Sequence, residues 1–234
     1  MKKLTFVGCA LTLASAIGSA SAATVISRSG PSAGGGGLSI AYQYGPDQYS
    51  SVLAVGWSQT LGFNNVIISA PFGVGDNRPF SGNAFLTTSI GPGTTLADQV
   101  ATTIFAFPQI FTGTPYPDVT LFTGLTLAPG TYYLTVIGTP GSTGGWGNTT
   151  LPVVSSDDPG ATVLGFFALS NDGRPGTGKD PAEYAPATNF FTGGSGAPLF
   201  SVTGNVVPEP SVLALVAAWL GIGLVSRRNR ETNI

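Results

Sequence analysis

Leu125-Thr126-Leu127-Ala128-Pro129-Gly130-Thr131-Tyr132-Tyr133-Leu134-Thr135-Val136-Ile137 reads as two extended arms about a tight turn. The second arm alternates, with Tyr132, Leu134 and Val136 on one face and Tyr133, Thr135 and Ile137 on the other. Pro129 has no amide hydrogen and Gly130 tolerates the backbone angles of a turn. The stretch predicts a β-hairpin, and with it a fold of short antiparallel strands.

The same pattern recurs on both sides. Ser51 to Thr60, Asn65 to Ala70, Phe85 to Ile90, Val100 to Phe107, Thr162 to Ser170 and Leu199 to Val207 are apolar or alternating runs, and Gly91-Pro92-Gly93 is a turn between two of them. Trp57, inside the first run, is a core candidate. Gly, Pro, Ser and Thr recur at the spacing that separates short strands. Helical periodicity is confined to a turn around Leu96 to Val100. The expected fold is all-β: an antiparallel β-sandwich, jelly-roll-like, over residues 38–206, because two sheets bury the alternating faces and edges must be managed. A Gly-rich lead, residues 23–37, precedes it, with its loosest part at Ser29 to Gly37.

Composition narrows the chemistry. The chain of 234 residues has no histidine and one cysteine, and only 9% of its residues are charged. Without histidine there is no Ser-His-Asp triad, and most transition-metal sites are excluded. Between the two chain ends, Arg28, Arg78, Arg174 and Lys179 face nine carboxylates, which leaves that region near −5. No basic patch is available for a phosphate backbone, so nucleic acid is not an expected partner.

Met1-Lys2-Lys3, the apolar stretch from Leu4 to Ile17 and the small-residue exit Ser19-Ala20-Ser21-Ala22-Ala23 form a secretory signal peptide, residues 1–22. Ala20 and Ala22 flank the recognised position and cleavage follows Ala22, so signal peptidase and the Sec machinery are expected partners. Val7-Gly8-Cys9 suits a lipobox, but too few apolar residues precede it, and Cys9 leaves with the signal. At the other end stands Val207-Pro208-Glu209-Pro210-Ser211, then an uncharged apolar run, residues 212–225, then a basic end holding Arg227, Arg228 and Arg230. The prolines exclude helix and central strand around Glu209. As a helix the apolar run rises about 20 Å, short of the roughly 30 Å hydrocarbon core. The arginines mark its cytoplasmic end.

This order of elements over residues 207–230 resembles the PEP-CTERM sorting signal of Gram-negative bacteria. The resemblance implies processing by an exosortase, a membrane protease-transpeptidase, at or near the Pro-Glu-Pro element. It also implies export, transient anchoring in the inner membrane through a C-terminal hydrophobic helix, and release to the cell surface or extracellular matrix. A plain tail anchor gives the same topology without removal of the helix. Ala54-Val55-Gly56-Trp57-Ser58-Gln59-Thr60, the Leu125 to Val136 stretch and Phe200-Ser201-Val202-Thr203-Gly204 in turn resemble the choice-of-anchor β-sandwich domains that precede such signals.

Candidate sites within the domain are few. Trp146, in Thr143-Gly144-Gly145-Trp146-Gly147-Asn148, has two readings: a ring exposed on a glycine loop that stacks on a sugar, or a plug over one end of the sandwich. Asp157, Asp158, Asp172, Asp180 and Glu183 form an acidic stretch of hard oxygen ligands that would suit Ca²⁺, the one cofactor considered. Asp157-Asp158-Pro159-Gly160 and Asn171-Asp172-Gly173 are equally turn sequences. Paired carboxylates hydrolyse glycosides without histidine, which nominates Asp157, Asp158 and Glu183, but no nucleophile elbow accompanies them. Asn148-Thr149-Thr150 is an N-glycosylation triplet, read as chance. The expectation is a non-catalytic exported protein of the envelope or exopolysaccharide matrix, structural or binding; a carbohydrate-binding module or an extracellular glycoside hydrolase are the alternatives.

Overall fold

A computed structural model describes residues 22–31, 38–41, 51–74, 80–90, 94–107, 116–139, 142–170 and 197–207. The expected signal peptide up to Ser21, the Gly91-Pro92-Gly93 turn, Asp172, Asp180, Glu183 and everything from Pro208 onward lie outside those residues. So do both expected flanking helices.

Fourteen strands are described: β1 (Ala23–Ser29), β2 (Leu38–Ala41), β3 (Ser51–Gln59), β4 (Phe63–Gly73), β5 (Phe80–Thr87), β6 (Gln99–Phe107), β7 (Asp118–Leu127), β8 (Gly130–Gly138), β9 (Thr143–Trp146), β10 (Asn148–Thr149), β11 (Val153–Ser155), β12 (Thr162–Ser170), β13 (Ala197–Pro198) and β14 (Phe200–Val206). One 3₁₀ turn, Leu96–Asp98, stands where a turn was expected. All pairings are antiparallel. One large sheet runs β11-β1-β14-β4, with β7 on the far side of β4 and β9-β2 continuing from the end of β4; the other large sheet runs β12-β3-β8-β5-β6, and β10 and β13 form a separate short pair. The two sheets enclose one core, as a β-sandwich.

Residue type explains the layering. Trp57 pairs with Tyr132, Val55 with Leu134 and Leu53 with Val136. All six side chains lie in the central core. Phe200 of β14 meets Trp57 across the sandwich at 5.8 Å between ring centroids, and Phe72 of β4 meets Phe105 of β6 at 5.0 Å. Aromatic pairs at these separations hold the sheets together beyond the area they bury. On the other face of β3 and β8, Val52 and Ile137 form a small separate cluster with Phe85 and Ile90.

Two expectations are corrected. The stretch from Leu125 to Ile137 is not a hairpin. β7 pairs with β4, whereas β8 pairs with β3 and β5. The connection at Ala128-Pro129 therefore arches from one sheet to the other. Two apolar arms about a short turn fit a hairpin and an arch equally, since both bury one face of each arm. At the arch the Tyr132 hydroxyl donates to the Ala128 carbonyl at 2.8 Å, an arrangement that marks such corners in β-sandwiches.

The second correction concerns the lead. Residues 23–29 are a strand lying between β11 and β14, and Val25 and Ile26 are wholly buried. The domain begins at Ala23, not at residue 38. The glycines at 34–37 masked a β-branched run, Thr24-Val25-Ile26, that carries ordinary strand propensity.

Candidate functional site

Both ends of the domain emerge at one end of the sandwich, side by side. Ala23 pairs with Gly204. Asp157 ties down the incoming chain, its amide donating to Thr24 O at 2.8 Å while its carboxylate accepts the Thr24 amide at 2.7 Å. The outgoing chain is held by a Val206–Phe63 pair and by the Val207 amide, which donates to Gly62 O at 2.8 Å. Of the expected sorting element only Val207 is described, 40% exposed. Ala22, on the incoming side, is exposed.

Three sheet-to-sheet connections cross at this end: Thr60 to Gly62, Ala128-Pro129 and Ser156 to Ala161. Asp158 clamps the first to the third. Its carboxylate accepts the amides of Thr60 (2.6 Å), Leu61 (3.0 Å) and Gly160 (3.0 Å) and the Thr60 hydroxyl (2.5 Å). Burial pushes the Asp158 carboxyl up, but these four donors outweigh burial and hold it below the ordinary carboxylate range. Gln59 serves the second connection: its amide donates to Leu61 O and Ala128 O, and its carbonyl accepts the Trp57 indole N–H at 3.2 Å.

The described part of the acidic stretch, Asp157 and Asp158, is thereby accounted for as turn chemistry. Asp158 is 1% exposed with its oxygens taken up by backbone and hydroxyl donors, and Asp157 is engaged with Thr24. Among the described residues no three carboxylates or other ligand groups come together to hold a metal ion. Asp157 and Asp158 are not a free pair aimed at a substrate either.

Trp146 is a plug, not an exposed platform. It is wholly buried, its ring stands 5.4 Å from that of Phe72, and its indole N–H donates to Leu199 O at 2.7 Å. The glycines around it serve close packing: a β-carbon on Gly144 would lie 2.5 Å from the Phe80 ring. Asn148 and Thr149 of the glycosylation triplet are buried beside β13.

A feature that sequence reading missed lies on the outer face of the first sheet. Ser155, Ser27, Ser201, Ser69 and Thr120 are register partners in turn, across β11, β1, β14, β4 and β7. At ordinary strand separation this row of hydroxyls spans about 19 Å. The pairs at its two ends are hydrogen-bonded, Ser27 to Ser155 at 3.2 Å and Ser69 to Thr120 at 3.3 Å. Thr203 and Ile67 continue the face as the next register pair, and Ile67 is 42% exposed on an internal strand. The five strands carry only two charged side chains, Arg28, which is buried over the Phe200 ring, and Asp118 at the start of β7. Alternating serines hint at such a face, but their alignment depends on a strand order that only the fold supplies.

No family model matches the chain, and no curated protein or solved structure matches it either.

Proposed function

We propose that the protein is an exported, exosortase-processed, non-catalytic β-sandwich of the cell envelope or extracellular polysaccharide matrix. Its binding role is to hold a neutral glycan on the outer face of the first sheet. The strand order β1-β14-β4-β7 against β3-β8-β5-β6 supports the jelly-roll reading of the fold, with β11 and β12 as additions at the edges. The order of signal peptide, domain, Pro-Glu-Pro element, short apolar run and arginine end supports the address.

The observation that carries the binding role is the uncharged hydroxyl row with Ile67 beside it. Serine and threonine hydroxyls both donate and accept, which matches the hydroxyls of a sugar chain. An exposed aliphatic side chain next to them suits the C–H face of a pyranose. A strongly anionic partner finds no exposed counter-charge on these strands, and a cationic one finds only Asp118 at the start of β7. The experiment is affinity electrophoresis in gels containing the producer's own exopolysaccharide, comparing wild type with Ser27→Ala/Ser69→Ala/Ser201→Ala. Retardation of the wild type that falls several-fold in the triple variant supports the reading. Equal mobility of the two folded proteins at all glycan concentrations removes this face from the account.

A further inference from the structure

We infer that the last rung of β14 is a latch on C-terminal processing: the Val206–Phe63 pair and the Val207–Gly62 hydrogen bond must open before the chain at Pro208 can enter a protease. The inference rests on the sorting reading above and adds to it a control exerted by the fold itself.

The hydrogen-bonded sheet extends up to the sorting element without a spacer. Val206 still pairs with Phe63, which is wholly buried, and Val207 still donates to Gly62 O at 2.8 Å. Pro208, next in sequence, has no amide hydrogen to donate to a ladder. Proteases take up substrates as extended segments whose backbone pairs with the enzyme. A cut at or near Pro208 needs the residues just ahead of it in that form, and here they are committed to β4 and to the Thr60 to Gly62 connection. That connection is in turn clamped by Asp158 through Thr60 and Leu61. Release therefore proceeds from a frayed state, and its rate follows the population of that state. A domain whose sheet is fully docked is cut slowly; one with slack at Val207 is cut fast.

The geometry supplies its own test. A β-carbon on Gly62 would stand 3.8 Å from the β-carbon of Val207, the separation found between half-cystines. The one native cysteine, Cys9, lies in the expected signal peptide. The doubly substituted Gly62→Cys/Val207→Cys chain thus closes the latch covalently in an oxidising compartment. Processing is followed by immunoblot of membrane and released fractions of the full chain in its native host. Expected are release of the wild type, retention of the oxidised double-cysteine variant, and recovery on adding a thiol reductant. A Gly-Ser-Gly-Ser insertion between Val207 and Pro208 should speed release roughly five- to tenfold, the ratio that one hydrogen bond of ordinary net strength corresponds to. The same insertion in the double-cysteine variant should restore release without reductant, which separates access from misfolding. A wild type left whole in that host overturns the sorting reading, and the latch with it. If the wild type is cut but the oxidised pair is cut equally fast, or the insertion changes neither protein, the latch alone is wrong.

Discussion

Asp158 and Thr60 stand 98 positions apart in the chain, yet the carboxylate of the first receives both the amide and the hydroxyl of the second, at 2.6 and 2.5 Å. The bond ties the β3–β4 connection to the β11–β12 connection, so that two arches between the sheets share one anchor. Replacing Asp158 by Asn keeps the shape and removes the charge. Hydrogen bonds to charged groups are each worth about 1.5–3 kcal/mol, and we expect Asp158→Asn to lose about 2–3 kcal/mol in chemical denaturation.

The same carboxylate sets a pH dependence. Its folded-state pKa lies below the unfolded value, so its contribution is complete above the ordinary carboxylate range near pH 4. That contribution drains away as pH falls through the lower, folded-state value. The gap in stability between wild type and Asp158→Asn should be constant from pH 7 to pH 5 and shrink below about pH 4. A gap that persists unchanged at pH 2 would show that the charge is not what matters.

Tyr132 tests the arch that replaced the expected hairpin. Tyr132→Phe removes the hydroxyl that donates to Ala128 O and leaves the ring against Trp57, 5.8 Å away. The expected cost is about 1 kcal/mol, or roughly 2–4 °C in melting temperature for a domain of this size. No change would mean that the corner is set by Pro129 and packing alone.

Trp146 separates the two readings of an aromatic in a glycine loop. As a buried plug, Trp146→Ala should destabilise the domain by about 3–5 kcal/mol through the cavity left beside Phe72. Trp146→Phe loses chiefly the bond to Leu199 O and should keep most of the stability. Glycan retardation by folded Trp146→Phe should equal that of wild type; a specific loss would return the ring to the binding account.

Glu209 tests the sorting element independently of the fold. Glu209→Ala keeps the proline-flanked backbone and removes the carboxylate. In an exosortase-positive strain we expect the exported protein to remain uncut and membrane-held, while signal-peptide removal after Ala22 continues. A tail anchor predicts no change, because Glu209 lies outside the apolar run. Release equal to wild type would strip the carboxylate of any part in recognition.

Strand content was legible because alternation and turn residues are local properties. Thr162 to Ser170 has the same bounds in sequence and fold, and β3 and β6 differ by a residue. Strand partnership was not legible. The arms around Ala128-Pro129 bury the same faces whether they share a sheet or oppose each other, and β1 hid behind the glycines that follow it. Asp157 and Asp158 show the same limit: as turn residues they were legible, but their donors, Thr24, Thr60 and Leu61, come from distant parts of the chain. The hydroxyl row needed all five strand neighbours to be known at once.

The position of β14 has a consequence for manufacture. This strand is the last described stretch of the domain to be synthesised, and it sits between β1 and β4. Until it arrives, β1 and β4 each wait with an open edge, and the core lacks the fully buried Val202 and the ring of Phe200 against Trp57. A chain cut short anywhere before residue 200 cannot close its first sheet and presents two bare edges to proteases and to other chains. The fold thereby depends on its own completeness: only a chain made through residue 206 can shut the first sheet, because the strand that joins β1 to β4 is β14.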